Sequence, residues 1–366
     1  MITLFSSLPS VLTPADLCRV KEDPAYKALI AGSNIYLVVR RRRIYLDSYE
    51  FRLDERTVHG FFLVPSEEGY LRVPFLYDLN EVSIATDESI EEVAIAVNGT
   101  AMIVTTQSRI VTIAAHVIIA NAMSMLESED TDMDVLYVGQ SLGKTGQRTA
   151  IDRLLAHTTL QRILAESSTH LPEYEILLLL YRFEHGRTMI SNAGDFNVES
   201  LASKAKDSLH FDRLRDVQLK RNEVVSLSEA ALINHFKPHY NMQLKSTNFA
   251  ARSKLVVIKR LLGKGITGLM VEICSSNLRA RLGTIHALPL NLEEVMGRGI
   301  LDGLKISDEH TRQAWKEEVN RMAHTHYARY PLTTIQERET FLHGMVWNGE
   351  TERVPMWPTH EKSNDA

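Results

Sequence analysis

The stretch VLYVGQSLGKTGQRTAIDRLLAHTTL, residues 135–160, decides how the middle of the chain is interpreted. It opens with an apolar run, Val135 to Val138, that is typical of a short buried strand, and a glycine-containing loop follows. Beyond the loop, Thr149 and Asp152 stand at capping-box spacing, and apolar residues then recur three and four positions apart. The order of strand, loop and amphipathic helix predicts an α/β domain.

The elements that follow support this interpretation. Tyr174–Phe183 is predicted to be a second strand and Leu227–Phe236 a further helix. Pro238 ends that helix, because proline has no backbone N–H and disfavours helix at the residue before it. Residues 184–222 alternate in charge with little periodicity, so we interpret them as an insertion containing some helix. We therefore expect a central domain over residues 106–245, with a small mixed sheet and flanking helices.

The two ends of the chain have different patterns. Residues 1–105 hold β-branched and aromatic runs such as Ile35–Val39, Gly60–Val64 and Tyr70–Phe75, which predict a β-rich N-terminal module. Residues 246–366 combine apolar runs with a charged helical stretch and predict a mixed α/β C-terminal module. The expected fold class is α/β of the α+β type, in three units.

Composition limits the protein class. A chain of 366 residues suits two or three domains, and 44% apolar with 24% charged residues is ordinary for a globular protein. The longest apolar run, Ile176–Tyr181, is far shorter than the roughly 18 residues of a membrane span. No basic segment precedes the first apolar residues, so we expect a cytoplasmic protein without a membrane anchor. Cys18 and Cys274 are too few for a disulfide framework and too far apart for a zinc knuckle.

Positive charge is concentrated in one region. The net charge of −5 argues against a protein that coats nucleic acid non-specifically. Residues 230–271, however, contain seven Lys and Arg and no Asp or Glu. This stretch predicts a surface that faces phosphate. Its candidate contacts are Lys245, Arg252, Lys254, Lys259, Arg260 and Lys264.

A second basic feature is the run Arg40–Arg43 inside an apparently extended segment. On a strand, alternate arginines emerge on opposite faces, so at least two are expected to be free to contact phosphate. The alternative is a sheet edge that charge protects from pairing with another chain.

Two separated segments carry residues suited to phosphodiester chemistry. Arg153 and His157 lie one helical turn apart, so a guanidinium and an imidazole can meet one phosphate. Glu229 supplies a carboxylate, and one carboxylate with several waters is an ordinary way to bind Mg²⁺. Hydrolysis of a phosphodiester needs an activated water and a cation over the developing negative charge. The combination predicts metal-assisted hydrolysis.

In order and local spacing, LYVGQS (residues 136–141), the helix pair, the glutamate and PHYN (residues 238–241) resemble the GIY-YIG nuclease family. The resemblance covers about a third of the chain. It implies an endonuclease that uses Mg²⁺ or Mn²⁺ to cut DNA, although RNA fits the same chemistry. A tyrosine would orient or deprotonate the attacking water, the glutamate would hold the metal, and the asparagine would hold the site in shape. The residues that match family positions are Tyr137, Gly139, Arg153, His157, Glu229 and Asn241.

One motif residue is missing. The family has a second tyrosine on a strand just upstream, yet no tyrosine occurs between Tyr77 and Tyr137. The strip Ile110–Ala122 is the natural candidate for that strand, and His116 is its titratable residue. We therefore predict that His116 lies on a strand paired with Val135–Val138, where it would replace the tyrosine as a base. The alternative is a hydrogen-bonded core histidine.

Each matched residue also has a structural explanation. Glu229 follows Ser226 at capping-box spacing, so its carboxylate could complete a helix start. Arg153 and His157 could form a solvated helix face, Tyr137 could be a strand aromatic, and the asparagine of PHYN could make a turn.

Two rival functions remain open. A binding or scaffold protein could keep the nuclease fold and lose activity with the missing tyrosine. A P-loop NTPase is suggested by VGQSLGKT, residues 138–145, but Val138 stands where that loop needs glycine. The sequence does not indicate the oligomeric state or the form of the nucleic acid.

Overall fold

The computed structural model shows a mixed α/β fold of the α+β class, built on two five-stranded sheets and a β-rich unit. Strands and helices are numbered in chain order. The structure describes residues 2–81, 84, 88–141, 150–189, 205, 208–209, 212–213, 217–242, 252–266, 268–291, 308–332 and 345–347.

Helices cover both faces of the sheets. They are α1 (Asp16–Glu22), α2 (Pro24–Leu29), α3 (Ala115–Asn121), α4 (Ser128–Thr131), α5 (Ala150–Leu155), α6 (Thr158–His170), α7 (Arg221–Phe236), α8 (His239–Met242), α9 (Arg252–Gly263) and α10 (Glu309–Ala323), with 3₁₀ turns at Leu79–Glu81 and Ser276–Leu278.

The first sheet has the strand order β16-β12-β3-β13-β2. At its centre, β3 pairs antiparallel with β12 on one side and with β13 on the other. At one edge, β16 pairs with β12 in parallel. The predicted strands at 135–138 and 174–183 are both present in it. Its strands are β2 (Ser10–Leu12), β3 (Ile35–Arg42), β12 (Met133–Gln140), β13 (Tyr174–Tyr181) and β16 (Leu282–Gly283).

The middle strand, β3, supplies two different cores. Ile35, Leu37 and Val39 pack into a cluster with α7 and the second sheet. Tyr36 and Val38 point the other way, into a cluster with α1, α5 and α6. Because successive side chains of a strand alternate between faces, a central strand covered on both sides must be apolar throughout.

The second sheet joins the two ends of the chain in the order β17-β15-β1-β14-β18, with β1 and β15 parallel. Its edge strand also contacts α7, because the Tyr330 hydroxyl donates to the Ala231 carbonyl at 2.6 Å. The prediction that residues 246–366 form a separate module is therefore wrong. The strands are β1 (Ile2–Ser6), β14 (Phe183–Met189), β15 (Gly268–Cys274), β17 (Thr325–Pro331) and β18 (Met345–Trp347).

The β-rich unit is an insertion between β3 and β12, and it has its own core. Phe62 and Phe75 stack there with ring centroids 4.5 Å apart. The boundary predicted at residue 105 is wrong, because β1, β2 and β3 belong to the two sheets and the inserted unit continues to β11. Its strands are β4 (Tyr45–Leu46), β5 (Arg52–Asp54), β6 (Thr57–Ser66), β7 (Gly69–Asp78), β8 (Ile90–Ile95), β9 (Ala101–Thr106), β10 (Ile110–Ala114) and β11 (Met123–Ser124).

The strip around His116 does not form the predicted strand. Residues 110–114 form β10, which pairs with β9, and the chain then turns into α3. Ala115, Ile118 and Ile119 are buried at helical spacing, which explains why this apolar segment is a helix. Burial lowers the pKa of His116, and its charged neighbours are Glu175, Arg41 and Asp16 rather than the matched residues.

The arginine run is largely paired across strands. Arg40 bonds Asp134 at 2.9 Å, and buried Arg41 bonds Glu175 at 2.6 Å. Arg43 donates to the Tyr174 carbonyl at 3.4 Å, whereas the last strand residue, Arg42, is exposed. The run lies on a central strand and not at a sheet edge. Contacts within the protein therefore engage three of its four arginines, which are not free to contact phosphate.

The region after β13 agrees in part with the expectation of an insertion. Its beginning is the strand β14, and most of residues 190–216 lie outside the described residues; residues 205, 208–209 and 212–213, which are described, are helical, as expected of an insertion containing some helix. The helix expected at 227–236 begins earlier, at Arg221, and ends before Lys237, which takes a left-handed φ of 46°. None of the described helices combines the length and apolar character needed to cross a membrane.

We predict that the inserted unit can be removed. Because Arg40 pairs with Asp134, an Asn-Gly turn that joins Arg42 to Asp132 continues the same register. The variant lacking residues 43–131 loses the contacts of Thr131 and Ala122 with Arg279 but keeps both sheets. We expect a single cooperative thermal transition by circular dichroism. A variant without cooperative unfolding would show that the sheets need the insertion.

Candidate active site

A second tyrosine stands beside the YVG segment. In the pairing of β3 with β12, Tyr36 lies opposite Gly139, and the rings of Tyr36 and Tyr137 stack with centroids 6.2 Å apart. Tyr36 is therefore the tyrosine that the fold brings to the YVG segment, whereas His116 lies on α3 in the inserted unit. The sequence signal for this tyrosine is the strand run Ile35–Val39, which contains it. The sequence alone places that run in the N-terminal module and not beside the YVG segment.

Gly139 makes room for this tyrosine. A Cβ atom at position 139 would lie 2.5 Å from Cζ and Oη of Tyr36 and 2.8 Å from Cε1 of Tyr137. Real Cβ atoms do not approach other atoms so closely, and Tyr36 is fully buried with little freedom to move. The glycine of the motif is thus required by the ring of the opposite strand.

Both tyrosines keep their protons at neutral pH. Burial raises the pKa of Tyr36 far above its usual range, and it also raises the pKa of Tyr137. Arg153 lies beside both hydroxyls and lowers their pKa values, although less strongly than burial raises them. The Tyr36 hydroxyl approaches Arg153 without good hydrogen-bond geometry, and it makes no hydrogen bond within the described residues. It is therefore a buried donor available to a ligand.

Arg153 and His157 lie on two helices and not on one as predicted. The helix α5 ends at Leu155, and His157 is the N-cap of α6, where its Nδ1 accepts from the Leu160 amide at 3.1 Å. The imidazole ring nevertheless faces the tyrosines, with its centroid 5.0 Å from Tyr137 and 5.8 Å from Tyr36. A histidine that caps a helix can turn its ring into the cleft without sharing a helix face with the arginine.

The cap also determines what His157 can donate. Burial, and then the charge of Arg153, lower the pKa of His157, so the ring is neutral near pH 7. Because Nδ1 accepts the Leu160 amide, the proton of the neutral ring lies on Nε2. His157 therefore presents an N–H donor and not a free base.

Glu229 lies in the middle of α7, so the capping explanation is wrong. The helix begins at Arg221, and the carboxylate that caps its start belongs to Glu223, which accepts from the Lys220 amide at 2.8 Å. Glu229 is buried, and burial raises the pKa of its carboxyl, whereas Lys254, Arg153 and the backbone of Gln140 lower it. A buried carboxylate surrounded by such groups is typical of a functional site.

Asn241 clamps the motif strand. Its Oδ1 accepts from the Val138 amide at 2.7 Å, and its Nδ2 donates to the Val138 carbonyl at 2.9 Å. The partner on this side, β16, pairs only with Met133 and Asp134, so the asparagine amide replaces a neighbouring strand at Val138. Asn241 is therefore a positioning residue for the residues on either side of Val138, and not a simple turn residue.

The cleft opens into a pocket of about 550 Å³. Two cations line it, one from α5 and one from α9, and its opposite wall is the start of α7. Thus Arg153, which was predicted to bind phosphate, does face open space. The lining residues are Gln140, Arg153, Asn222, Glu223, Ser226, Leu227, Lys254, Val256 and Val257.

The predicted phosphate-binding residues have different positions. Lys254 is buried beside Glu229, whereas Lys259 and Lys264 are exposed. Arg260 bonds Glu223 at 2.6 Å, so its charge is already paired. Lys245 and the side chain of Arg252 lie outside the described residues, as do residues 142–145, the second half of the P-loop alternative.

The donor set suits a hard divalent ion better than zinc. Within the described part of the chain, no group of three or more His, Cys, Asp and Glu side chains could hold a metal. Glu229 stands as a carboxylate next to the pocket, and Mg²⁺ commonly binds one protein carboxylate and several waters. The residues present therefore fit Mg²⁺ or Mn²⁺.

No protein-family model, curated protein or solved structure matches this chain. A proposal about the function of this protein therefore rests on the geometry of the cleft residues described above.

We predict that Gly139→Ala disrupts the tyrosine pair. The new methyl group must displace buried Tyr36, and overpacking of this kind costs about 1–3 kcal/mol of stability. Gly263→Ala is the matched control, because a Cβ there meets nothing within 4 Å. Chemical denaturation of both variants tests this. In a Tyr36→Val background, Gly139→Ala should lower the stability less than it does in the wild type. An unchanged loss of stability would contradict the proposed clash.

We predict that Asn241→Leu destabilises the protein by about 2–4 kcal/mol, because it leaves two buried backbone groups of Val138 without partners. The control is Asn121→Ala, which removes an exposed Nδ2 hydrogen bond to the Val117 carbonyl and should cost less than about 0.5 kcal/mol. Urea unfolding measures both. Equal costs would mean that Asn241 does not hold the strand.

Proposed function

We propose that this protein is a metal-dependent endonuclease that hydrolyses phosphodiester bonds of DNA. The observation that carries the proposal is the juxtaposition of Tyr36, Tyr137, Arg153, His157 and Glu229 around one cleft, although these residues come from four separate elements and a helix cap. A purely structural role for each residue does not explain why their polar atoms converge.

Arg153 and His157 are suited to bind the scissile phosphate. The guanidinium lines the pocket and remains charged, so it can offset the negative charge that develops on the phosphoryl oxygens. The Nε2–H group of His157 adds a neutral donor from the other side of the tyrosine pair. A phosphate would thus receive hydrogen bonds from one charged group, the Arg153 guanidinium, and from one neutral group, the His157 Nε2–H.

The two tyrosines are suited to orient the attacking water. Both hydroxyls are protonated at rest, and Arg153 lies close enough to favour their ionised forms. The Tyr36 hydroxyl has no hydrogen bond within the described residues, so a water molecule is a natural partner for it. Tyr36 would hold this water, and Tyr137 would pack against the Tyr36 ring and fix its position.

Glu229 would hold the divalent ion. The bound ion would lower the pKa of a coordinated water and stabilise charge on the phosphate oxygens. The carboxylate contributes a single oxygen donor group from the middle of a rigid helix, and Gln140 at the end of β12 approaches it through its backbone. The position of Glu229 is thus tied to the same strand that carries Tyr137.

The charge distribution favours α9 as the side where nucleic acid binds. Residues 44–126 contain twelve Asp and Glu against four Arg and no Lys, so the inserted unit would repel phosphate. It also joins the sheet at the Arg40–Asp134 end, whereas the site is at the Tyr36–Gly139 end of the same strands. Lys259 on α9 and Lys264 just beyond its end are exposed and follow the pocket residues along the chain.

Cleavage of supercoiled plasmid with and without Mg²⁺ tests the proposal. We expect nicking that needs Mg²⁺ and that falls by a factor on the order of 10²–10⁴ in Tyr36→Phe and Glu229→Gln, because each removes a group that acts on the reacting atoms. Tyr45→Phe and Glu92→Gln are controls, since both residues lie in the inserted unit, away from the cleft.

Two results would contradict the proposal. Folded wild-type protein that never nicks plasmid with Mg²⁺ or Mn²⁺ would favour a binding or scaffold protein on the same fold. Cleavage that survives Glu229→Gln unchanged would exclude this carboxylate from the metal site. The scaffold alternative depended on the missing tyrosine, and the position of Tyr36 removes that reason for it.

A further inference from the structure

Lys254 occupies an unusual place beside Glu229. Its Nζ lies 3.9 Å from the Glu229 Oε2, and the two side chains are 8% and 9% exposed. At this distance the two groups form an ion pair but not a hydrogen bond. Among the residues that the structure describes, the ammonium makes no hydrogen bond. A buried ammonium ordinarily has two or three acceptors, and the described residues supply Lys254 with one carboxylate at ion-pair distance.

The ammonium also faces open space. Lys254 lines the pocket together with Val256 and Val257 of the same helix and Arg153 from α5. The lysine stem has four rotatable methylene groups, so the ammonium can move within the pocket while its backbone stays in α9. Rotation about the stem would carry the ammonium away from Glu229 and further into the pocket.

The charge balance around Glu229 disfavours a metal ion on its own. Lys254 and Arg153 both lower the pKa of the Glu229 carboxyl, which means that two positive groups already act on one negative group. The other carboxylate in the pocket wall, Glu223, is paired with Arg260 at 2.6 Å. A divalent cation that enters this pocket alone meets net positive charge, whereas a phosphodiester meets two cations that attract it.

We propose that Lys254 is an internal counter-cation that couples metal binding at Glu229 to the arrival of a nucleic-acid phosphate. In the free protein the ammonium holds the carboxylate. A phosphodiester in the pocket offers the ammonium a better acceptor, which releases Glu229 to a divalent ion, and the negative charge of the phosphate attracts that ion. Metal and nucleic acid then bind cooperatively. This inference rests on the proposed function, because it takes Glu229 as the metal ligand.

The coupling is measurable without turnover. Mn²⁺ can be titrated into the full-length protein and free Mn²⁺ followed by electron paramagnetic resonance, with and without a duplex oligonucleotide whose phosphorothioate linkages resist hydrolysis. We expect the duplex to tighten Mn²⁺ binding by the wild type at least about tenfold, which is within the usual range of coupling between two ligands. Binding is reciprocal, so Mn²⁺ should tighten duplex binding by the same factor.

Lys254→Met provides the direct test, since it keeps the stem and removes the charge. We expect Lys254→Met to bind Mn²⁺ about tenfold more tightly than wild type without duplex, and the duplex to add less than about threefold. Lys254→Arg keeps a cation and should retain the coupling. Lys316→Met, an exposed lysine on α10 outside the proposed nucleic-acid surface, should behave as wild type. Thermal melts of all variants establish that they are folded.

The outcomes separate this inference from the function beneath it. If plasmid cleavage depends on Glu229 but the duplex leaves wild-type Mn²⁺ affinity unchanged, the counter-cation role is excluded and the nuclease proposal stands. Unchanged Mn²⁺ affinity in folded Lys254→Met likewise excludes the counter-cation role and leaves the nuclease proposal standing. If neither wild type nor Lys254→Met binds Mn²⁺ and no plasmid is cut, both proposals fail. The wild-type measurement needs no substitution, so it decides even if Lys254→Met does not fold.

Discussion

The antiparallel pairing of β3 with β12 is the contact on which the rest of the cleft depends. It places the Tyr36 ring against Gly139 and sets the distance between the two tyrosines. One face of β3 builds the core with α7, and the other builds the core with α5 and α6. Because both cores share one strand, a shift of β3 by one residue would exchange its faces and remove Tyr36 from the cleft.

The clamp by Asn241 shows how the fold protects this register. At Val138 the motif strand has β3 on one side and no strand on the other, so its outward backbone groups would be unpaired inside the protein. The short helix α8, which begins just after Pro238, brings an amide side chain to both groups. A helix stop, a turn and an asparagine thus act together to fix a strand more than a hundred residues earlier in the chain.

The cleft contains more positive than negative groups near its carboxylate, and this balance suits a polyanionic ligand. Arg153 reaches the tyrosines as well as Glu229, so a single guanidinium links the groups proposed to act on water and on phosphate. The inserted unit has the opposite charge character and joins the sheet at its far end. Its acidic composition therefore disfavours contact with a phosphate backbone.

Local patterns in the sequence determined much of this protein. The apolar run before Gly139, the strand predicted at 174–183 and the helix that ends before Pro238 follow from periodicity and turn chemistry. The set Tyr137, Arg153, His157, Glu229 and Asn241 is predicted by its resemblance in order and spacing to a nuclease motif. The tertiary structure alone decided three things. It showed that Tyr36 pairs with Gly139 across an insertion of about ninety residues, that His157 caps a new helix, and that Lys254 turns inward to Glu229. The physical reason is the same in each case: strand partners, helix breaks and ion pairs between distant segments depend on which surfaces pack together, and a motif read along the chain holds no information about residues that long insertions separate.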